Sequence, residues 1–438
     1  MLLNNLPAYT GPYKVSCRDI EYNLNITRIS KQEDSVLLKI YYPSESNKLY
    51  NQLAEWAPYP NKRYMRGYLD QTKVPSMISK SLLYFLNEQP RQGSYISDGS
   101  DLLKDVDEFP IALFSHGKLG SRTLYSGTCG ELASHGIVVA AIEHRDGSAA
   151  YSYRSSNPKE VIYKHSKGKY GSPENLLFRQ KQMMLRKNEI KNGLKVLKML
   201  NQGHLKKEGM YLPDNKDKEF MFLRDLNKDK EGEFWFDGLS RFKNRLNFKE
   251  TYLLGHSFGG STVLEILKEK DNPYKLGITF DPWMYPVTSE IVTKPTLGIL
   301  TDAFFKWKLN YDKALNLLQT NDDSQMLILS NATHYHQTDV LALVENVLPL
   351  LENALPLMGQ GASLNRPSPI SAKQALKDNA KAALKFIELH MDPDLKQNLK
   401  LDITDNLNDN TKFTIVQNGL PRFCKLETVF SIVCLTKQ

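Results

Sequence analysis

Apolar positions along the chain fall into short, nearly unbroken runs, and these alternate with longer stretches that carry a helical stripe. "SVLLKIYY" (35–42) reads as a strand closed by Pro43, and "PIALFSHG" (110–117) as an apolar strand ending in a turn. "RTLYSGTCGELASHG" (122–136) reads as a helix stopped by Gly136, and "IVVAAIEHRDG" (137–147) as the next strand. Strands apolar on both faces, alternating with helices, predict an α/β protein with a mostly parallel central sheet covered by helices on both faces. A long helix follows, with Ser172-Pro173 as cap and first turn and a stripe of Met183, Ile190, Leu194 and Leu197, running to about Leu200. "YLLGHSFGGSTVLEIL" (252–267) then sets a buried strand end and a helix start on either side of a polar, glycine-rich turn. Three more short strands come after it: "LGITFD" (276–281), "TLGILTD" (296–302) and "QMLILSN" (325–331). Each ends near a polar residue at its carboxyl edge, where open α/β sheets place their sites. A helix near 369–390 is expected to pack back on the sheet.

The remaining segments are less patterned. Residues 201–249 are charged and irregular and read as a surface insertion. Within them "DLNKDKEGEFWF" (225–236) partly matches a calcium loop, but Lys230 stands where glycine is needed and Phe236 where glutamate is needed, so calcium is rejected there. No internal repeat is evident. The expected organisation is a single domain over 1–393, carrying that insertion, and a C-terminal extension over 394–438 with no assigned role.

Composition narrows the class. The 438 residues are 41% apolar and 24% charged, an enzyme-like globular profile rather than a disordered one, and long enough for a large core. Cys17, Cys129, Cys424 and Cys434 are too few and too scattered for a disulfide framework or a zinc site, which favours thiols in a reducing compartment. "MLLNNLPAYTGPYKV" has neither the basic nor the apolar region of a secretory signal, position two is not glycine, and "CLTKQ" puts Cys434 one residue too far from the end for prenylation. No apolar run approaches a membrane span. Of two glycosylation sequons, at Asn25 and Asn331, the second lies beside the candidate histidines, where a glycan would obstruct access. The expected location is the cytosol, with any membrane contact peripheral. The net charge of +8 is spread along the chain without clustered arginines and aromatics, so nucleic acid is not an expected partner.

Gly255-x-Ser257-x-Gly259 between a strand and a helix fits the nucleophile elbow of an α/β-hydrolase, a sharp turn that exposes a serine and needs small neighbours. A serine hydroxyl is a weak nucleophile, so a histidine must take its proton and a carboxylate must orient that histidine. In this fold the chain order is serine, acid, histidine. Asp281 and Asp302 both qualify as the acid, each ending a strand after the elbow, and the commoner placement favours Asp302. His334 and His336 both qualify as the base, and spacing alone separates neither pair. His116, His144 and His256 also stand at strand ends, where histidines more often tie loops together than catalyse.

Longer blocks carry a family likeness. "FSHGKLGSRTLYSGTCGELASHGIVVAAIEHRDGSA" (114–149), "GHSFGGSTV" (255–263) and "FDPWMYP" (280–286) resemble the platelet-activating-factor acetylhydrolase family, the group with plasma and intracellular branches. The likeness runs from "TGPYKVSCRD" (10–19) to "AALKFIELHMDP" (382–393). It implies Ser257 as nucleophile and Asp281 as acid, because the family's aspartate opens the segment matched here by "DPWMYP". It implies His334 as base, because the family's histidine stands five residues before an aspartate and Asp339 is at that distance. The oxyanion hole is then expected from the backbone N–H of Phe258 and, by strict count in the "SHGKLG" loop, of Lys118. Here the chain departs from the family, which carries Leu-Gly where Lys118-Leu119 stand.

The function implied is a calcium-independent esterase that hydrolyses the short or oxidised acyl chain at the second position of a phospholipid; a serine triad calls for no metal or other cofactor. A broader carboxylesterase, lipase or polyester hydrolase of the same fold is the rival within the class, and a non-catalytic scaffold the rival outside it. Membrane contact is the remaining expectation. "VPSMISKSLLYFLNEQP" (74–90) has Ser76 as cap, Pro90 as breaker, and a stripe of Ile78, Leu82, Phe85 and Leu86 widened by Leu83 and Tyr84. It reads either as a core helix or as an interfacial helix aided by Lys73 and Lys80. The resemblance favours the second, since the family's plasma branch carries a lipid-contacting helix in this region.

Overall fold

The computed structural model describes residues 3–24, 35–45, 53–71, 90–96, 101–154, 159–206, 210, 239–288, 291–346, 370–401, 403, 413–417 and 420–424. The amphipathic segment at 74–90 lies, apart from Pro90, outside them, as does most of the charged insertion.

The strands are β1 (Lys14–Asn23), β2 (Ser35–Ser44), β3 (Leu53–Glu55), β4 (Arg91–Ile96), β5 (Phe109–Ser115), β6 (Val138–Glu143), β7 (Tyr151–Arg154), β8 (Lys159–Ile162), β9 (Leu246–His256), β10 (Leu276–Phe280), β11 (Thr296–Thr301), β12 (Gln325–Leu329), β13 (Phe413–Gln417) and β14 (Leu420–Cys424). Among the described residues, all but β7 and β8 join one sheet in the order β14-β13-β12-β11-β10-β9-β5-β6-β2-β1-β4-β3. The run from β12 to β6 is parallel throughout. Strands β5, β6 and β10 are buried at every position, which is why they read as unbroken apolar runs rather than alternating ones.

Helices cover both faces. Pro173–Gln202 packs on β2, β5 and β6 and against the helix Phe258–Leu267, which lies on β9 and β10. Ser126–Ser134 and Ala372–His390 pack together on the opposite side, the first over β2 and β6 and the second over β10 and β11. The long helix starts where its sequence says it should: Ser172 Oγ accepts from Asn175 N at 3.2 Å, Pro173 takes the first turn, and Gly203 closes it at φ 70°. Three boundaries differ from expectation. β9 begins at Leu246, inside the stretch 201–249 expected to be a surface insertion, because Leu246 is buried and pairs with Phe109 of β5. Pro43 lies within β2 rather than ending it, because pairing with β6 covers only Leu37 to Tyr41 and the missing proline N–H faces no partner there. The helix expected from Arg122 begins only at Ser126, because Arg122 is buried in a polar network, its backbone N–H and guanidinium both donating to Glu143. Among the described residues no helix is long and apolar enough to cross a membrane.

Candidate active site

Strand register brings the chemistry to one edge. Ser115 of β5 pairs with Gly255 of β9, and His256 of β9 with Phe280 of β10. Phe280 in turn pairs with Ile299 of β11, and Thr301 with Leu329 of β12. The turns that follow β5, β9, β10, β11 and β12 therefore leave the sheet side by side. Because β5 has β6 on one side and β9 on the other, chain direction across the sheet reverses there, and the crevice between the diverging loops is the expected ligand position in such a sheet.

Ser257 stands on a left-handed backbone, φ 54° and ψ −116°, between β9 and the helix Phe258–Leu267. A non-glycine residue there is strained by about 1–3 kcal/mol and persists only if its surroundings over-determine it. They do so from both sides: Ser257 N donates to Phe280 O at 2.8 Å, and Trp283 N donates to Ser257 O at 3.0 Å. The flanking glycines are obligatory. A Cβ on Gly259 would sit 1.9 Å from Ser115 O, and one on Gly255 would sit 2.5 Å from Gly259 C, so neither position admits even alanine without backbone movement.

Asp281, directly after β10, is fully buried and also left-handed at φ 41°. Its Oδ1 accepts from Thr301 N at 2.7 Å, and its Oδ2 accepts from Thr301 Oγ1 at 2.7 Å and from His334 Nδ1 at 2.9 Å. With a carboxylate at Nδ1, the hydrogen-bond network assigns the proton to that nitrogen and leaves Nε2 as the basic one. The His334 ring is held flat against Phe304, centroids 4.5 Å apart and planes 11° apart, and lies 4.3 Å from the His256 ring. The other two candidates are placed elsewhere. Asp302 Oδ2 accepts from Asn331 N at 2.8 Å. His336 Nδ1 accepts from Thr333 N at 3.0 Å and closes a capping box with Thr333 Oγ1 at 2.9 Å, so it serves its own turn.

Asp339 anchors that turn from the far side. Its carboxylate accepts from Trp56 Nε1, Ser126 N and Ser126 Oγ on one oxygen and from Gly127 N on the other. Burial pushes its pKa up to about 7 against these donors, which all favour the charged form.

The loop after β5 spends most of its amides internally. Gly117 N donates to Tyr125 Oη at 3.0 Å, Leu119 N to Ser148 O at 2.7 Å, and Gly120 N to Gly117 O at 3.1 Å. The Lys118 amide is the remaining one, and Gly117 beside it is packed so closely that a Cβ there would lie 3.1 Å from Ser257 Cβ. Phe258 N, at the first helical position after Ser257, is likewise among the amides a helix leaves without an internal acceptor.

Several supporting residues left no sequence signal. Tyr125 bridges Gly117 N and His256 Nδ1, the latter at 2.8 Å. Asn310 holds the 281–284 loop, accepting from Met284 N at 2.7 Å and donating to Pro282 O at 3.0 Å. Buried Arg186 donates to His116 O at 2.6 Å and lies 4.5 Å from the Phe258 ring, beneath the loop and the elbow together. His116 and His144 tie loops, with His144 N donating to His116 Nε2 at 3.0 Å and His144 Nδ1 paired with Glu189 at 2.8 Å. Burial above all, with the Arg186 charge adding to it at His116 and His144, holds His116, His144 and His256 well below the usual histidine range. His256, Asp281 and His334 offer three ligand atoms within 4.8 Å of one another, but Asp281 is engaged by Thr301 and His334, and His256 by Tyr125. These bonds take up the carboxylate and the Nδ1 atom of each imidazole, while His256 Nε2 is buried without a hydrogen-bond partner among the described residues.

The architecture is similar to that of a solved ferulic acid esterase from Streptomyces cinnamoneus, with a TM-score of 0.56 and 94% of this chain and 99% of that chain covered; at 14% identity the likeness is one of fold. Such a fold, with an elbow serine and a histidine–carboxylate pair at its carboxyl edge, is that of a serine ester hydrolase. Across residues 3–411 the chain matches the model of platelet-activating factor acetylhydrolase, isoform II, and it belongs to that family. A platelet-activating factor acetylhydrolase of Cavia porcellus is 28% identical over 94% of this chain and 84% of its own length. One from Gallus gallus is 29% identical over 75% of this chain and 73% of its own, and a putative phospholipase A2 of Schizosaccharomyces pombe is 26% identical over 73% and 75%.

Proposed function

We propose that the chain is a calcium-independent esterase that cleaves the short or oxidised sn-2 acyl ester of phospholipids, using Ser257, His334 and Asp281. The observation that carries this reading is the buried Asp281–His334 hydrogen bond at 2.9 Å beside a strained elbow serine, in a chain of this family. Ser257 Oγ attacks the sn-2 carbonyl carbon while His334 Nε2 takes its proton. The resulting oxyanion is met by the amides of Phe258 and Lys118, the first reinforced by the helix N-terminus it opens. Collapse breaks the ester bond, and the proton on His334 passes to the departing glycerol oxygen, releasing the lysophospholipid. Water, deprotonated by the same nitrogen, then attacks the acyl-enzyme and frees the carboxylic acid and Ser257. Every proton moves through His334, so no metal is required to activate either nucleophile.

Preference for a phospholipid carrying a short or oxidised sn-2 chain is the discriminating feature between this reading and that of a broader carboxylesterase. Hydrolysis of short-acyl, oxidised and long-acyl phospholipids and of simple esters, with calcium chelated, tests it; preference for simple esters over all phospholipids would replace it with the rival. Ser257→Ala is expected to lower turnover by about 10³-fold or more and to abolish fluorophosphonate labelling while thermal unfolding stays unchanged. Retained labelling in that variant would remove Ser257 from the mechanism. Reversible contact with a phospholipid surface through the 74–90 segment belongs to the same proposal, on the strength of its stripe of Ile78, Leu82, Leu83, Phe85 and Leu86. The exposed run Lys306-Trp307-Lys308-Leu309, reached from His334 through Phe304, supports it by presenting apolar and cationic groups at the rim of the site.

A further inference from the structure

Most buried arginines of the site region have their acid. Arg122 pairs with Asp19 and Glu143, Arg145 with Glu21, and Arg186 with Asp146. Arg179, on the helix Pro173–Gln202, is different. It is 6% exposed, donates from Nη1 to Gln182 Oε1 at 2.7 Å and from Nη2 to Tyr163 Oη at 3.3 Å, and its Nε has no partner. Among the described residues no carboxylate meets it. A buried guanidinium with only neutral partners carries a desolvation cost that an anion would offset.

A second cation converges on the same ring. The Arg179 guanidinium lies 5.9 Å from the centroid of Trp283, and Lys118 Nζ lies 5.7 Å from it. The Trp283 backbone N–H donates to the carbonyl of Ser257 and its ring lies 5.5 Å from that of Phe258, so both charges gather beside the elbow. Lys118 is exposed at the mouth of the crevice, yet its ammonium is crowded: loss of solvent first, and the Arg179 charge second, hold its pKa below the usual lysine range. Tyr170 and Tyr285 stack on Trp283 and each other at centroid distances of 4.7 to 6.4 Å. Two like charges held together without a counter-ion, at a crevice meant for substrate, describe half of an ion pair.

Resting on the phospholipid-esterase reading, we propose that Lys118 and Arg179 form an anion subsite for the phosphate of the substrate's head group. Lys118 is the direct contact at the mouth and Arg179 is the charge behind the Trp283 ring. The amide of Lys118 faces the reacting carbonyl while its ammonium sits one side chain away, and in a glycerophospholipid the sn-2 ester and the phosphate are likewise only a few bonds apart.

The test compares kcat/KM for a 1-alkyl-2-acetylglycerophosphocholine with that for the matching 1-alkyl-2-acetylglycerol, which has the same ester and no phosphate. The quantity read is the ratio between the two substrates, so a change common to both cancels. Lys118→Met is expected to lower that ratio by about 10- to 100-fold, mainly through KM, the size of a lost charge-assisted hydrogen bond. Arg179→Gln is expected to lower it as well, and Lys118→Arg to retain it. Hydrolysis of the neutral ester by the wild type should be inhibited competitively by glycerol 3-phosphate, more weakly by inorganic phosphate, and not by glycerol; Lys118→Met should abolish that inhibition. An unchanged ratio together with unchanged inhibition in Lys118→Met overturns the subsite, and stronger inhibition by inorganic phosphate than by glycerol 3-phosphate overturns its assignment to a head group. Should the wild type hydrolyse the neutral ester and ignore the phospholipid, the phospholipid reading falls, and the inhibition arm still decides whether an anion is bound here. If Arg179→Gln fails to fold, exposed Lys118 carries the test alone.

Discussion

Replacing Asp281 with asparagine changes one oxygen to an amide nitrogen in a site where every direction is already assigned. Oδ1 faces the Thr301 backbone N–H, and Oδ2 faces Thr301 Oγ1 and His334 Nδ1. If the new amide nitrogen took the Oδ1 position, it would meet a backbone N–H that cannot turn away, leaving two donors face to face at a cost of about 1–3 kcal/mol. In the other orientation it faces the Thr301 hydroxyl, which can rotate to accept, and His334 Nδ1, which can accept only as the opposite tautomer. The second arrangement is therefore the expected one. It preserves the fold but puts the proton on Nε2, the nitrogen that must receive the proton of Ser257. A loss of about 10³- to 10⁴-fold in kcat, with KM and melting temperature little changed, is the expected outcome, since a wrong tautomer has that effect in other serine triads. Asp302→Asn keeps an amide oxygen for Asn331 N and should cost less than about 3-fold, as an exposed neutral replacement does. Turnover of a soluble short-chain ester, with fluorophosphonate labelling rates as a check on the serine itself, separates the two. Asp281→Asn within tenfold of wild type, or Asp302→Asn the more damaging of the pair, would refute the reasoning.

Three further outcomes follow from the geometry. His334→Gln should lower kcat by about 10³-fold or more, whereas His336→Gln disturbs a buried turn cap that also bonds the Ile370 backbone and should cost about 1–3 kcal/mol of stability with most activity kept; equal kinetic losses would leave the base unassigned. Burial opposes ionisation of Asp19, but the Arg122 and Lys39 charges outweigh it and lower its pKa from 3.8 to about 2. Its stabilising contribution is thus present above pH 4 and lost as pH falls toward 2; with the side chain 36% exposed the screened contribution is about 1 kcal/mol. Chemical unfolding of Asp19→Asn should show that deficit above pH 4 and none at pH 2, and a deficit independent of pH would contradict it. Leu83→Ser with Phe85→Ser should weaken sedimentation with liposomes while sparing hydrolysis of a soluble ester; an unfolded or fully binding double variant assigns that segment to the core.

The fold was legible because a parallel sheet buried on both faces writes itself as unbroken apolar runs. β5, β6, β10, β11 and β12 each appear in the sequence as such a run, β9 shows only its apolar end from Tyr252, and the helix Pro173–Gln202 announces both of its ends by cap chemistry. Edge pairing was not legible. β13 and β14, at 413–424, extend the sheet beyond β12 by an antiparallel hairpin; the run "FTIVQ" followed by Asn418-Gly419 signals a hairpin in the sequence, but not that it joins β12. Pro43 misleads for a related reason: whether a proline ends a strand depends on which neighbour its missing N–H would have faced, and register is a property of the assembled sheet.

The site divides along the same line. Ser257 could be found because its strain must be accommodated locally, and the accommodation is written two residues away on either side as Gly255 and Gly259. Asp281 is strained too, at φ 41°, but its relief comes from Thr301 on the next strand and Asn310 beyond it, so no local pattern separates it from Asp302. Leu119, at φ 62°, is the third left-handed residue of the group, and its amide goes to Ser148 in a loop at the far end of β6. Each of these residues is held by groups remote in sequence, and each hold restricts one torsion that the chemistry uses. The Leu119 turn, for instance, is what leaves the Lys118 amide unspent and sends the Lys118 side chain toward Trp283. A single backbone conformation thereby couples the two demands of the proposed reaction, an oxyanion donor and a charge for the head group. Relaxing that turn with Leu119→Gly should therefore lower turnover of phosphate-bearing and neutral esters together, whereas Lys118→Met separates them.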